Sequence, residues 1–316
     1  MPGPRTATGV ARGRRGLLHI DPAFLKEWIG REESADDLVN AARVAGLSAA
    51  LDRDDPPPAP GDPLPPGWHW LFCIPCARQS ALGPDGHPAR GGFLPPVPLP
   101  RRMWAGGSMT FQRPLRVGEP VARRSVIDDV TLREGRGGRL VFVRVRHEIS
   151  GPHGLATVED HDIVYREAAG PDDAPPRPDD APPPDAVPRP PDDAPPPAAA
   201  WERTVVPDPV LLFRFSALTF NGHRIHYDRD WATGEEGYPG LVVHGPLLAI
   251  LLLDLWRRES GDAWPASFAF RARRPLFDTA PFTVCGAPGD PGDPLRLWVR
   301  GPDGKAAMTA GLVPSA

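Results

Sequence analysis

The chain is short of cysteine and tyrosine, with 3 of each in 316 residues, and it has no long apolar run. Three cysteines cannot staple a disulfide scaffold. The longest apolar stretch, Leu247 to Leu253, falls well short of the about 20 residues that span a bilayer, and Asp254 closes it. No membrane span is expected. Positive charge is not in excess either, because a formal net charge of −4 argues against nucleic acid as the main partner. Basic residues gather at Arg5, Arg12, Arg14 and Arg15 without the apolar stretch of a secretory signal, so a cytoplasmic address is expected. Cys73-Ile74-Pro75-Cys76 has CxxC spacing but lacks the second pair, or the matching histidines, of a structural zinc site. It reads as two reduced thiols at chance spacing.

Proline is what the chain has in abundance, 45 residues against a usual share of about 5%. Thirteen lie between Pro171 and Pro197, where the sequence is almost entirely Pro, Asp and Ala and Pro-Asp-Asp-Ala-Pro-Pro recurs at 171–176, 178–183 and 191–196. That segment has nothing to bury and should form a disordered, semi-rigid acidic spacer. The expected division is a disordered tail over 1–19, an N-terminal domain over 20–168, a linker over 169–200 and a C-terminal domain over 201–316.

The two domains share a pattern. Arg113-Pro114-Leu115 with Pro120, and Arg274-Pro275-Leu276 with Pro281, both read Arg-Pro-Leu, four residues, Pro. Further on, Gly151-Pro152-His153-Gly154-Leu155-Ala156 matches Gly301-Pro302-Asp303-Gly304-Lys305-Ala306, each after a strand-like run, Leu140 to Ile149 and Leu295 to Val299. Two matches in the same order point to duplication of one fold. In the first run Val141, Val143 and Val145 alternate with Phe142, Arg144 and Arg146, the pattern of a half-buried strand in a hairpin.

Each half also has one helix candidate. The first covers Ala35 to Leu51, with Ser34 as N-cap and Leu38, Ala41, Ala42, Ala45 and Ala49 near helical spacing. The second covers Pro246 to Arg258, and its leucines occupy every face. A helix apolar all round must be surrounded, here by a curved antiparallel sheet.

Reactive side chains concentrate just before that second helix, over Phe215 to Asp228 and Tyr238 to Pro246. Asn221 and His226, five apart across a short turn, suit acid–base work with an amide orienting a water. A metal held by His223, His226 and His244 is conceivable, but the set lacks a neighbouring glutamate base. Gly245 precedes Pro246 at a helix start, where an unpaired N–H and the helix dipole form an oxyanion site. The plainer alternative is a set of hydrogen-bonded structural residues beside a good helix start.

The stretch Phe215 to Ala232 resembles the hydratase motif of MaoC-type enoyl-CoA hydratases, and Val243-His244-Gly245 resembles the start of their central helix. Ala217 to Asn221, His223 to Asp228 and Gly237 to Pro246 are similar to the branch holding hydroxyacyl-thioester dehydratase type 2 and the mesaconyl-C4-CoA (3-methylfumaryl-CoA) hydratases. Arg101 to Gly107 and Phe111 to Leu115 look like that branch too. The resemblance implies an α+β double hotdog, two antiparallel sheets each wrapping a long helix, with a substrate-shaping N-terminal half of the fatty-acid-synthase dehydratase type. It implies reversible hydration of a 2-enoyl-CoA, among them branched dicarboxylic ones, with acyl-CoA as substrate and no separate cofactor or metal.

Carried over by position, His226 stands at the catalytic histidine, Asn221 at the catalytic aspartate and Gly245 at the thioester-binding N–H. Arg224, His223, Tyr238 and His244 are the expected substrate-binding residues. An amide accepts no proton, so His226 is expected to handle both transfers, with Asp228 as the alternative carboxylate. Arg101, Arg102, Arg224, Arg271, Arg273 and Arg274 are the candidates for CoA phosphates. Competing readings are a thioesterase on the same fold and a non-catalytic acyl-binding module; the expected assembly is a monomer acting as a pseudo-dimer, or a homodimer.

Overall fold

The computed structural model describes residues 20–135, 138–167, 198–261, 263–290 and 293–315. The expected tail, and all of the expected linker but 198–200, lie outside the described residues. In the N-terminal half the order is α1 (Pro22–Lys26), β1 (Glu32–Leu38), α2 (Ala41–Ala50), β2 (Arg101–Phe111), β3 (Pro120–Gly135), β4 (Gly138–Gly151) and β5 (Gly154–Arg166). The C-terminal half runs β6 (Trp201–Val205), α3 (Pro209–Thr219), α4 (Gly245–Ser260), β7 (Pro265–Ala272), β8 (Phe282–Ala287), β9 (Leu295–Arg300) and β10 (Ala306–Pro314). All strand pairings are antiparallel.

Both halves use one strand order. The first reads β1-β3-β4-β5-β2 and the second, from its outer edge, β6-β8-β9-β10-β7, which is the duplication expected from the sequence. The repeated residues make repeated contacts. Gln112 and Arg113 both donate their backbone N–H to Ala156 O, and Arg273 and Arg274 do the same to Ala307 O. The Arg113 side chain donates to His153 O in one β-turn, and Arg274 reaches Asp303 at 2.5 Å in the other. Each Arg-Pro-Leu repeat therefore ties the end of one strand to the tip of the neighbouring hairpin.

The expected pair of sheets is instead one ten-stranded sheet, closed at the middle by β2 against β7. Gly106 and Gly107 allow that junction: a Cβ on Gly106 would lie 2.6 Å from Phe270 O. The first helix is also shorter than expected. Residues Ala35 to Leu38 pair with Arg123 to Pro120 as part of β1, so the cap is Asn40, whose side chain accepts from Ala42 N at 2.8 Å. Sheet pairing overrode the alanine spacing there.

Helix α4 bears out the all-round apolar pattern, since every residue from Leu247 to Trp256 is buried. Its one internal charge, Asp254, is 3% exposed and meets three guanidiniums, Arg53 at 2.7 Å, Arg203 at 3.2 Å and Arg258 at 2.8 Å. Arg53 comes from the N-terminal half, so this buried cluster clamps the halves together. No helix among the described residues is long and apolar enough to cross a membrane. Cys73 is buried, Cys76 is exposed, and both are free thiols.

Candidate active site

Three short elements assemble the reactive cluster. Asp208 caps α3 by accepting from Leu211 N at 2.7 Å, and Phe220 ends that helix with a left-handed φ of 50°. The chain then turns through Asn221 and Gly222 into a single 3-10 turn, Arg224–His226, and Val242 N donates to Ile225 O at 2.9 Å to hold that turn beside the start of α4. Asp228 accepts from Trp231 N at 3.0 Å and closes the segment.

His226 is buried, and its Nδ1 lies 2.7 Å from Val242 O. A carbonyl only accepts, so Nδ1 carries the proton and Nε2 is left with a lone pair. Burial pushes the ring down and outweighs the carbonyl's opposing pull, giving a pKa of about 4. The imidazole is therefore neutral at neutral pH, the state of a general base. Behind it His244 stacks at 3.6 Å between centroids and is itself held by Ser216 Oγ at 2.9 Å. The Asn221 carbonyl oxygen accepts from His223 N at 3.0 Å, which turns the amide's donor end free for another partner.

Gly245 is the first residue of α4, with Pro246 next and His244 at the cap. Its N–H belongs to the first turn and has no acceptor within the helix. His226, Asn221, Gly245, Arg224, His223 and Tyr238 all line one cavity of about 1290 Å³. His244, expected to bind substrate, does not: it is fully buried behind the His226 ring. Asp228 is committed to Arg224 at 2.6 Å and lies outside the cavity lining, so the alternative carboxylate is not presented to a substrate.

The same cavity is walled by the N-terminal half. The loop at Pro84 to His87 crosses the catalytic turn, with Arg224 N donating to Asp85 O at 2.9 Å and the Arg224 side chain reaching Pro84 O at 3.2 Å. Gly86 sits at φ +86°, and a Cβ there would fall 1.9 Å from Gly222 O. Arg224, expected at the substrate, is thus mainly a strut between halves, and it also lies 4.0 Å over the Trp231 ring.

His87 lies 4.1 Å from the His223 ring and 3.1 Å from Asp85. The ligand atoms of Asp85, His87 and His223 fall within 4.8 Å of one another, so these are the described residues best placed to take a metal ion. Asp85 and His87 already hydrogen-bond each other, and the His223 ring packs against His87. Burial raises Asp85, but the His87 hydrogen bonds outweigh it and hold the carboxyl well below its usual range. On the far wall Glu159 receives His69 Nε2 at 2.9 Å and Trp70 Nε1 at 3.0 Å. Its burial penalty is overcome by the His69 hydrogen bond and the nearby His69, His147 and His161 rings, leaving a pKa of about 2.

Asp85, His87 and Glu159 were not singled out in the sequence. The one signal for the first two was the run Gly83-Pro84-Asp85-Gly86-His87-Pro88, turn-forming residues around a carboxylate and an imidazole.

The profile of hydroxyacyl-thioester dehydratase type 2 matches residues 67–278. The chain belongs to the hydroxyacyl-thioester dehydratase type 2 family. Within curated proteins it is 48% identical over 283 residues to mesaconyl-C(4)-CoA hydratase of Chloroflexus aurantiacus, covering 90% of this chain and 95% of that one. Solved structures agree on the fold: HtdX of Mycobacterium tuberculosis superposes with a TM-score of 0.59 at 17% identity, over 90% of this chain and 100% of that one. A second protein of that organism, described as a double hotdog fold, gives 0.51 at 16% identity over 91% and 96%. As a member of the hydroxyacyl-thioester dehydratase type 2 family, the chain is an α+β double hotdog whose matched region spans the β2–β7 junction and the cavity wall apart from Glu33, Ala307 and Met308.

Proposed function

We propose that the protein hydrates a 2-enoyl-CoA reversibly to the 3-hydroxyacyl-CoA, with His226 as the proton-transfer group. The observation that carries this reading is the His226 Nδ1 hydrogen bond to Val242 O, which fixes a neutral ring with Nε2 as a base on the cavity wall. In the hydration direction Nε2 takes a proton from water while the water oxygen bonds to the β-carbon. Electron density moves to the thioester oxygen, where the Gly245 N–H and the positive end of α4 stabilise it. The protonated His226 then returns its proton to the α-carbon, so one water is added and the ring is regenerated.

Asn221 holds the water through its amide donors, a role that needs no carboxylate. His244 keeps the His226 ring in plane from behind, and Tyr238 and His223 contribute wall. A single chain, as a pseudo-dimer, supplies one such centre, with the N-terminal half shaping the acyl end, and the proposed setting is the cytoplasm.

A carboxylate-activated hydrolase of the same fold would release free thiol instead. Incubation with crotonyl-CoA and mesaconyl-C4-CoA separates the two outcomes. Loss of the enoyl absorbance without thiol release is expected; thiol release would establish a thioesterase, and binding without turnover an acyl-binding module.

A further inference from the structure

The cavity contains a cation that the chemistry above does not use. Four carboxylates line it, and each faces another partner: Glu33 lies 3.5 Å from Arg123, Asp85 meets His87, Glu159 meets His69, and Glu236 lies 3.5 Å from Arg101. Other lining arginines are also engaged. Arg90 donates to the carbonyls of Val97, Leu99 and Pro100, and Arg274 is held by its hairpin turn. Arg102 differs, because among the described residues no carboxylate lies within ion-pair distance of it.

Arg102 stands on β2, directly across from Tyr165 on β5, so the two side chains share one face of the sheet. Tyr165 is fully buried, lines the cavity, and its hydroxyl has no hydrogen-bond partner among the described residues. A buried phenol without a well-formed hydrogen bond, beside a guanidinium that no carboxylate balances, calls for an acceptor. Arg102 lies close enough to act on the Tyr165 hydroxyl, which can accept from it as well as donate, but no carboxylate balances the guanidinium's charge, so the group this pair lacks is an anion. Arg102 also sits close enough to His87 and His223 for its positive charge to disfavour protonation of either, after the burial that chiefly does so. His223 in turn lies 5.4 Å from the His226 ring, so the anion's place is near the reacting carbons.

We infer that Arg102 and the Tyr165 hydroxyl form a subsite for a free carboxylate on the acyl group, which makes the substrate class a short dicarboxylic enoyl thioester. This rests on the hydratase reading above. A guanidinium accepts a carboxylate through two parallel hydrogen bonds, and the phenol supplies a third donor. The alternative anion, a phosphate of CoA, belongs at the other end of the ligand, and the two sources are separable by experiment.

The test uses the full-length protein with mesaconyl-C4-CoA, the same thioester esterified at its free carboxyl, and crotonyl-CoA. The wild type should prefer the free acid over the ester. Arg102→Gln should lower kcat/KM for the free acid about 100-fold relative to crotonyl-CoA, and Tyr165→Phe about 10-fold, the size expected for charge-assisted hydrogen bonds. Arg102→Lys, which keeps the charge, should recover part of the preference, and competitive inhibition by free CoA should be the same in wild type and Arg102→Gln.

Equal loss on all three substrates, or weakened inhibition by CoA with an unchanged preference, would overturn the subsite. A wild type that hydrates crotonyl-CoA but shows no preference for the free acid would also overturn it while leaving the hydratase reading intact. A wild type that hydrates none of the three overturns the hydratase reading itself.

Discussion

His226 is neutral because it is buried, and its useful lone pair is at Nε2 because Val242 O takes the other nitrogen's proton. Replacing it with Gln keeps the shape but removes the base, so kcat should fall by about 10²–10⁴-fold with KM little changed. Since only the neutral ring can accept a proton, kcat/KM should stay flat from neutral pH downward and collapse near pH 4; an acid limb near 6.5 in the pH–rate profile would contradict the burial argument. Asn221→Ala should lower turnover, whereas Asp228→Ala should act through loss of the Arg224 contact. Turnover unchanged by the first and abolished by the second would reverse the assignment. Residue identity at these positions was legible from the sequence motif. The exclusion of His244 from the cavity was not, because spacing puts it beside Gly245 and only the packed ring of His226 hides it.

Secondary-structure elements were legible in proportion to how much of their environment their own pattern encodes. Leucines on every face of α4 announce a surrounded helix, and the alternating valines of β4 announce a strand. The alanines at 35–51 encode little, so pairing with β3 claimed Ala35 to Leu38 for β1. Asp254 read in the sequence as the polar end of an apolar run, yet it is the acid at the centre of three arginines from both halves. Asp254→Ala strands those charges and should cost about 3–5 kcal/mol in urea unfolding. At the crossing of the N-terminal loop over the catalytic turn, Gly86→Ala combines a left-handed φ with a clash on Gly222 O. It should lower the melting temperature and, by moving the loop that carries Asp85 and His87, lower activity as well.

For the whole molecule, histidines packed away from most of the solvent set the response to acid, His226 buried and His147 and His161 half-buried. His147, His161 and His226 have pKa values of about 4, 3 and 4, all pushed down chiefly by burial. Above about pH 6.5 each ring is neutral both folded and unfolded, so none contributes a pH dependence there. Below it the unfolded chain takes up protons that the folded one refuses, and each ring removes about 1.4 kcal/mol of stability per pH unit until its folded pKa is reached. The urea midpoint should therefore drop between pH 7 and pH 5, before ordinary carboxylates titrate; equal midpoints at the two pH values would refute the lowered titration of these rings.

The sequence by itself determined the duplication, the surrounded helix, the motif from Asn221 to His226 and the helix-start N–H at Gly245, because each depends on residues close together in the chain. Only the tertiary structure decided that the two sheets fuse through Gly106 and Gly107, that Pro84 to His87 fold over the catalytic turn, and that Arg102 and Tyr165 meet as cross-strand neighbours on the cavity wall. Those features join residues as far apart in the chain as Gly106 and Arg271, and burial, unlike spacing, is a property of what else has packed around them.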